Sequence, residues 1–201
     1  ELHREVALKE IQLPYADDAA ARMRFLREAQ ITGRLEHPGV VPVYGFGVSA
    51  EGRPYYAMRF IQGRSLKQAI EEYHRPKRPQ QTIEFRGLLR RMIDVCNTMQ
   101  YAHSHGILHR DLKPANVMLG PYGETLVVDW GLAKAIGEPD SQVEPVVVLR
   151  SETKPDSATV DGAAIGTPQY KSPEQAAGQL AAIGPASDIY SLGATFYHLL
   201  T

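Results

Sequence analysis

The chain has 201 residues, 43% of them apolar, and a formal net charge of −1 at pH 7. That length supports one sizeable domain or two small lobes, and the near-neutral balance gives no global attraction to nucleic acid or an anionic membrane. Cys96 is the only cysteine, which excludes an internal disulfide and points to a reducing, cytoplasmic compartment, and no run of 18 apolar residues or signal sequence is present, so any membrane anchor is expected outside these residues.

The predicted elements begin with REVALKEIQL (4–13), short and rich in Val, Ile and Leu, which reads as a strand ended by Pro14. Asp17 or Asp18 can cap a helix running to about Glu36, where His37-Pro38-Gly39 stops it. VVPVYGFGVS (40–49) and RPYYAMRFI (53–61) read as two strands joined by a turn at Glu51-Gly52. Beyond Gly63 the character becomes helical. A short helix is predicted over 65–73 and a long one over roughly 84–105, with Leu88, Met92, Val95, Met99 and Ala102 at helical spacing. Between them the basic run His74-Arg75-Pro76-Lys77-Arg78-Pro79 reads as a solvated linker. His103 and His105 diverge by about 200° on a helix, so they are expected to serve the helix end and not a shared metal. NVML (116–119) and TLVVDW (125–130) predict two short strands around the turn Gly120-Pro121-Tyr122-Gly123. Residues 131–165 are irregular and rich in Ser/Thr, Pro and acids. The final helix, about 185–201, is apolar on most faces, which predicts burial. A β-rich part followed by a helical part predicts an α+β chain of two lobes, 1–60 and 61–201, with a hinge near 59–63.

The chemistry concentrates in HRDLKPANVML (109–119). There Asp111 can accept a proton from an attacking hydroxyl, Lys113 can neutralise charge on a phosphoryl group in flight, and Asn116 offers a carbonyl oxygen, a hard ligand suited to Mg²⁺. Eighteen residues after Asp111, a hairpin of suitable length brings back Asp129, a second candidate metal ligand at a strand end. Upstream, Val6-Ala7-Leu8-Lys9 places an ammonium on a strand. Glu28 shares a helical stripe with Phe25, Ile31 and Leu35, and a carboxylate on an apolar face needs a cationic partner, for which Lys9 is the candidate. Metal ligands, a base and a cation together suit phosphoryl transfer.

In these motifs the chain resembles a eukaryotic-type (Hanks-type) protein kinase, closest to the bacterial serine/threonine members. The resemblance implies a bilobal fold and an ATP-dependent kinase that transfers the γ-phosphate to Ser/Thr hydroxyls of protein substrates, itself among them, in bacterial signalling, with Mg²⁺ as cofactor and Mn²⁺ as the alternative ion. It implies that Lys9 holds the α- and β-phosphates and pairs with Glu28. His109-Arg110-Asp111 with Asn116 matches the catalytic loop, Lys113 the residue that contacts the γ-phosphate, and Asp129-Trp130-Gly131 the metal-binding motif, with Trp130 in place of the usual Phe. Met58 matches the gatekeeper, Arg59, Phe60 and Ile61 the hinge, and Ala7 and Met118 the residues on either side of the adenine. Gly166-Thr167-Pro168-Gln169-Tyr170-Lys171-Ser172-Pro173-Glu174 matches the segment that positions the acceptor peptide, with Ser172 where Ala is commonest.

Asp188 matches a buried aspartate that hydrogen-bonds the catalytic-loop backbone, and Glu174 an acid that pairs with an arginine beyond residue 201. Thr159, eight residues before Thr167, matches an autophosphorylated threonine that acts through Arg110, and Asp161 replaces a second one. No Gly-rich phosphate loop precedes Lys9; Gly45-Phe46-Gly47 follows the helix and reads as a turn. By the resemblance the chain is therefore a fragment lacking the first two strands and the last helices. Two rival readings are a nucleotide-binding pseudokinase or scaffold and a small-molecule phosphotransferase; the five polar site residues oppose the first, and the peptide-docking segment the second.

Overall fold

The computed structural model describes residues 5–75, 81–136 and 168–201. Strands β1 (Val6–Glu10), β2 (Val43–Val48) and β3 (Pro54–Arg59) form an antiparallel sheet in the order β1-β3-β2. Helix α1 (Ala19–Arg34) packs on this sheet, and of the two candidate caps it is Asp18 whose side chain accepts from the Ala20 N–H at 2.9 Å. Phe25 stacks against Tyr56 at 5.2 Å between ring centroids, joining Ile11, Ala16 and Ala29 in a small core.

Each predicted strand is shorter in the structure, the first two by the most residues. The first ends at Glu10, and Leu13–Tyr15 wind into a single tight turn with Pro14 in its first positions, as suits a residue with fixed φ and no N–H. Val40 and Val41 are buried before the second strand begins, because Pro42 between them and Val43 cannot donate to a ladder. Val40 instead bridges in parallel to Val127, and the Val127 N–H donates to the Gly39 carbonyl at 2.8 Å. Gly39 lies so close to the long helix that a Cβ there would sit 1.9 Å from Thr98 Oγ1. The loop after α1 thus stitches the β-rich part to the helical part.

The helical part comprises β4 (Arg64–Ser65), α2 (Leu66–Tyr73), α3 (Gln81–Ser104), β5 (Ile107–Leu108), β6 (Val117–Leu119), β7 (Thr125–Val127), β8 (Lys134–Ala135), α4 (Pro173–Ala176) and α5 (Pro185–Leu200). Ser65 and Gln68 close a reciprocal capping box at the start of α2. On α3 the predicted stripe of Leu88, Met92, Val95, Met99 and Ala102 is buried throughout, in one large core with Leu66, Ile70 and Trp130. The α+β class is as expected. Among the described residues no helix is long and apolar enough to cross a membrane.

Helix α5 departs from the expectation of burial on most faces. It turns inward the stripe Ser187, Asp188, Ser191, Thr195 and Leu199, and leaves Ile189, Tyr190, Phe196, Tyr197 and Leu200 exposed. The inward face is chosen by hydrogen bonding: Ser191 Oγ donates to the Tyr170 carbonyl at 2.7 Å, and Asp188 accepts from the loop that carries Asp111. Composition without periodicity could not show which side would face in.

Candidate active site

The loop from His109 to Asn116 connects β5 to β6 and is held from beneath by Asp188, which is 1% exposed. Its carboxylate accepts from the His109 N–H (Oδ2, 2.9 Å), the Arg110 N–H (Oδ1, 2.8 Å) and His103 Nε2 (2.8 Å). Burial opposes ionisation of Asp188, but the His103 hydrogen bond, the favourable electrostatic effect of the His109 ring and the two backbone donors outweigh it and hold the carboxyl below the ordinary range. His103 therefore has the structural role expected of it, and His105 points elsewhere, to the Tyr101 carbonyl.

Asp188 steadies a strained backbone. Arg110 has φ 69°, a left-handed conformation uncommon for a residue with a Cβ, and such a residue persists where its surroundings over-determine it. The ring of His109, fully buried, donates from Nε2 to the Val128 carbonyl (3.2 Å) and accepts at Nδ1 from the Asp111 N–H (3.3 Å). It packs against Trp130 at 4.6 Å between centroids. Trp130 is itself 1% exposed, and its Nε1 donates to the Val127 carbonyl at 3.2 Å. The extra donor that distinguishes Trp from Phe thus has a partner three residues back, at the end of β7.

Asp111 Oδ2 accepts from Lys113 Nζ at 2.6 Å and from Asn116 Nδ2 at 3.1 Å, and Asn116 Nδ2 also reaches the Asp111 carbonyl at 2.9 Å. With its amide nitrogen committed to Asp111, Asn116 has its side-chain oxygen as the atom that could hold a cation. The Val128 N–H donates to the Asn116 carbonyl at 2.9 Å, so the neighbouring Asp129 rises beside Asn116 as the hairpin length predicts. Asp129 has φ 64° and a half-exposed carboxylate. One amide oxygen and one accessible carboxylate suit a small divalent cation that takes its remaining ligands from phosphate oxygens and water.

Across the cleft, Lys9 Nζ pairs with Glu28 Oε1 at 2.5 Å and reaches Asp129 Oδ1 at 3.3 Å. Tyr56, unremarked in the sequence, donates from its hydroxyl to Glu28 Oε1 at 2.8 Å; a buried Tyr on the alternating face of a central strand was the available signal. Burial alone would lower the Lys9 pKa, but Glu28 and then Asp129 outweigh it and hold the ammonium above its ordinary value. Burial, and then the Glu28 charge, keep the Tyr56 phenol protonated.

Ala7 and Met58 are cross-strand neighbours in β1 and β3, and Met118 lies on β6 opposite Leu126; all three are half-buried. Phe60 and Ile61 follow β3, with Phe60 48% exposed, and Arg59 reaches across to Glu124 at 3.3 Å. Downstream, Tyr170 OH meets His198 Nδ1 at 2.6 Å. Glu174, half-buried, accepts from the Ser187 hydroxyl. That bond, and then its own backbone N–H, hold its carboxyl below the ordinary range. Thr159 and Thr167 lie outside the described residues.

The protein kinase domain model matches residues 1–201. The serine/threonine-protein kinase PknD of Protochlamydia amoebophila is 40% identical over 203 residues, covering 98% of this chain and 20% of that protein. PknD of Chlamydia pneumoniae is 39% identical, over 98% of this chain and 21% of that protein, and the serine/threonine-protein kinase PknB of Mycobacterium leprae is 37% identical, over 100% and 29%. The chain thus spans about a fifth to under a third of the length of these relatives. A match over all 201 residues, on a fold that brings Lys9, Glu28 and Asp129 together and sets Asp111 against Lys113 and Asn116, places this chain in the protein kinase domain family.

Proposed function

We propose that this chain carries the transfer site of a bacterial serine/threonine protein kinase that phosphorylates Ser/Thr hydroxyls of proteins, itself among them, in the reducing cytoplasm. The observation that carries the reading is the Lys9 ammonium shared between Glu28 at 2.5 Å and Asp129 at 3.3 Å, because it joins the phosphate-binding cation to the cation-binding carboxylate in one cluster. The serine/threonine-protein kinase relatives support the same class.

Bound nucleotide with Mg²⁺ or Mn²⁺ supplies the γ-phosphoryl group and the positive charge across it. Asn116 and Asp129 hold the ion, and Lys9, kept in place by Glu28, neutralises the α- and β-phosphates. Ala7, Met58 and Met118 wall the adenine, with Phe60 and Ile61 at its outer edge. Asp111 orients the acceptor hydroxyl and takes its proton, and Lys113 offsets charge on the group in transfer. Rate comes from alignment and fixed charge. A scaffold that only binds nucleotide has no use for Asp111 held between Lys113 and Asn116.

In the full-length protein, Lys9→Met is expected to lower transfer to a generic protein acceptor by about 10²–10³-fold, the cost of losing one preorganised charge. Labelled-phosphate transfer measures it. A wild-type protein that labels nothing, or a Lys9→Met variant at the wild-type rate, overturns the reading.

Regulation is proposed at Thr159. A phosphate there adds about −1.5 to −2 charge and makes charge-assisted hydrogen bonds with Arg110. Mass spectrometry of the active full-length kinase is expected to find Thr159 phosphorylated, and Thr159→Ala to lower activity; an unmodified Thr159 with unchanged activity in the alanine variant removes the switch.

A further inference from the structure

We propose that Gln175 is a positioning residue for the transfer reaction: its side-chain amide fixes the Arg110–Asp111 peptide and so aims the Asp111 carboxylate. The inference rests on the kinase reading and adds to it a residue that the sequence motifs left unassigned.

The peptide unit between Arg110 and Asp111 is the last rigid plane before the candidate base. Its N–H donates to His109 Nδ1 at 3.3 Å, and its carbonyl oxygen accepts from Gln175 Nε2 at 2.7 Å. The plane before it is fixed too, through the Arg110 N–H on Asp188 Oδ1 at 2.8 Å. Arg110 itself sits at φ 69°, where relaxation toward common backbone angles would rotate this plane. Rotation of the plane swings the Asp111 side chain away from the Lys113 and Asn116 donors that hold it. Gln175 opposes that rotation at the carbonyl end.

The other end of the same amide is equally committed. Gln175 Oε1 accepts from the Ser172 N–H and the Ser172 hydroxyl, both at 3.1 Å, closing the capping box of α4. Ser172 is fully buried and Gln175 half-buried. These partners settle the amide orientation, oxygen toward two donors and nitrogen toward a carbonyl. The task needs a side chain that accepts and donates at once. Glutamate only accepts when ionised, and methionine fills the space but makes neither bond. Through one amide, the segment beginning at Tyr170 and Lys171 is coupled to the backbone of the base.

Gln175→Glu in the full-length protein separates the two functions. The carboxylate still accepts from Ser172, so α4 keeps its cap, but it presents an oxygen to the Arg110 carbonyl. We expect kcat for protein phosphorylation to fall about tenfold or more, because small misplacements of a reacting group carry large rate costs, while both KM values stay within about twofold, as for an interaction realised in the transition state. Gln175→Met should show the same loss, and carries the test if the glutamate variant does not fold. An unchanged kcat in a folded variant overturns the proposal and leaves the kinase reading standing. A loss confined to the acceptor KM also overturns it, showing that Gln175 only places the substrate segment. A wild-type protein without transfer activity would bring down the kinase reading and this inference with it.

Discussion

Asp111→Asn in the full-length protein is expected to lower phosphoryl transfer by about 10²–10⁴-fold, the range for loss of a positioned general base, while nucleotide still binds. The substitution keeps the shape of the side chain and removes its charge and proton affinity. It also disturbs the local pairing, since Oδ2 now accepts from both Lys113 and Asn116, and an asparagine nitrogen placed there would face two donors. Of the proposed nucleotide and ion contacts only Asn116 is hydrogen-bonded to Asp111, and none of the hydrogen bonds of Glu28 or Lys9 passes through it. Single-turnover transfer and nucleotide-dependent thermal stabilisation, measured on one preparation, separate chemistry from binding. Wild-type transfer in the variant would remove Asp111 from the mechanism, and loss of nucleotide binding would show that it acts earlier than proposed.

Asp188→Ala is expected to have the largest effect on stability. It removes the acceptor of three hydrogen bonds from a site that is 1% exposed, stranding two backbone N–H groups and the His103 ring. Leaving a buried donor without its acceptor costs about 1–3 kcal/mol for each group, against a typical total of roughly 5–15 kcal/mol. Denaturant unfolding of the full-length protein, followed by a probe in this domain, measures it; a loss below about 1 kcal/mol, the size of one ordinary hydrogen bond, would contradict the clamp. The pH dependence carries a sign. Because the folded carboxyl is held below its unfolded value, its stabilisation is complete above the unfolded pKa of about 3.9 and is lost as pH falls through the folded pKa. The alanine variant should therefore lose less additional stability than wild type in that acid window.

The parts of the fold legible in the sequence were those in which one face does one job. The α3 stripe from Leu88 to Ala102 repeats at helical spacing and is buried as a unit. The hairpin after Asn116 has a length that leaves little choice about where Asp129 returns. The candidate site residues stood out because phosphoryl transfer, the chemistry proposed, restricts which side chains can hold a cation, take a proton or neutralise phosphate. Less legible was everything decided by a distant partner. The inward face of α5 follows from hydroxyls that meet Tyr170 and Glu174, and hydropathy ranks those hydroxyls behind the Phe, Tyr and Ile that stay outside. The left-handed backbone at Arg110 and Asp129 has no glycine to announce it. Tyr56 reads as an ordinary strand residue and Gln175 lies just past the matched segment that ends at Glu174, and neither stands out until Glu28 and the Arg110 carbonyl are set beside them.

The stitch at Gly39 also determines how α1 can move. The loop just beyond its C-terminal end is tied to Val127 and pressed against Thr98, which makes that end the fixed point about which a tilt of the helix would turn. Glu28 precedes the last helical residue, Arg34, by six positions, a lever arm of about 9 Å at 1.5 Å per residue. A swing of about 10° on that arm carries Glu28 through about 1.6 Å, enough to part it from a Lys9 that it now meets at 2.5 Å. The first turn of the helix, farther out on the same arm, travels more than twice as far. A displacement at Asp18 or Ala19 would therefore reach the Lys9–Glu28 contact reduced by more than half, a coarse movement at the rim becoming a fine one at the ion pair.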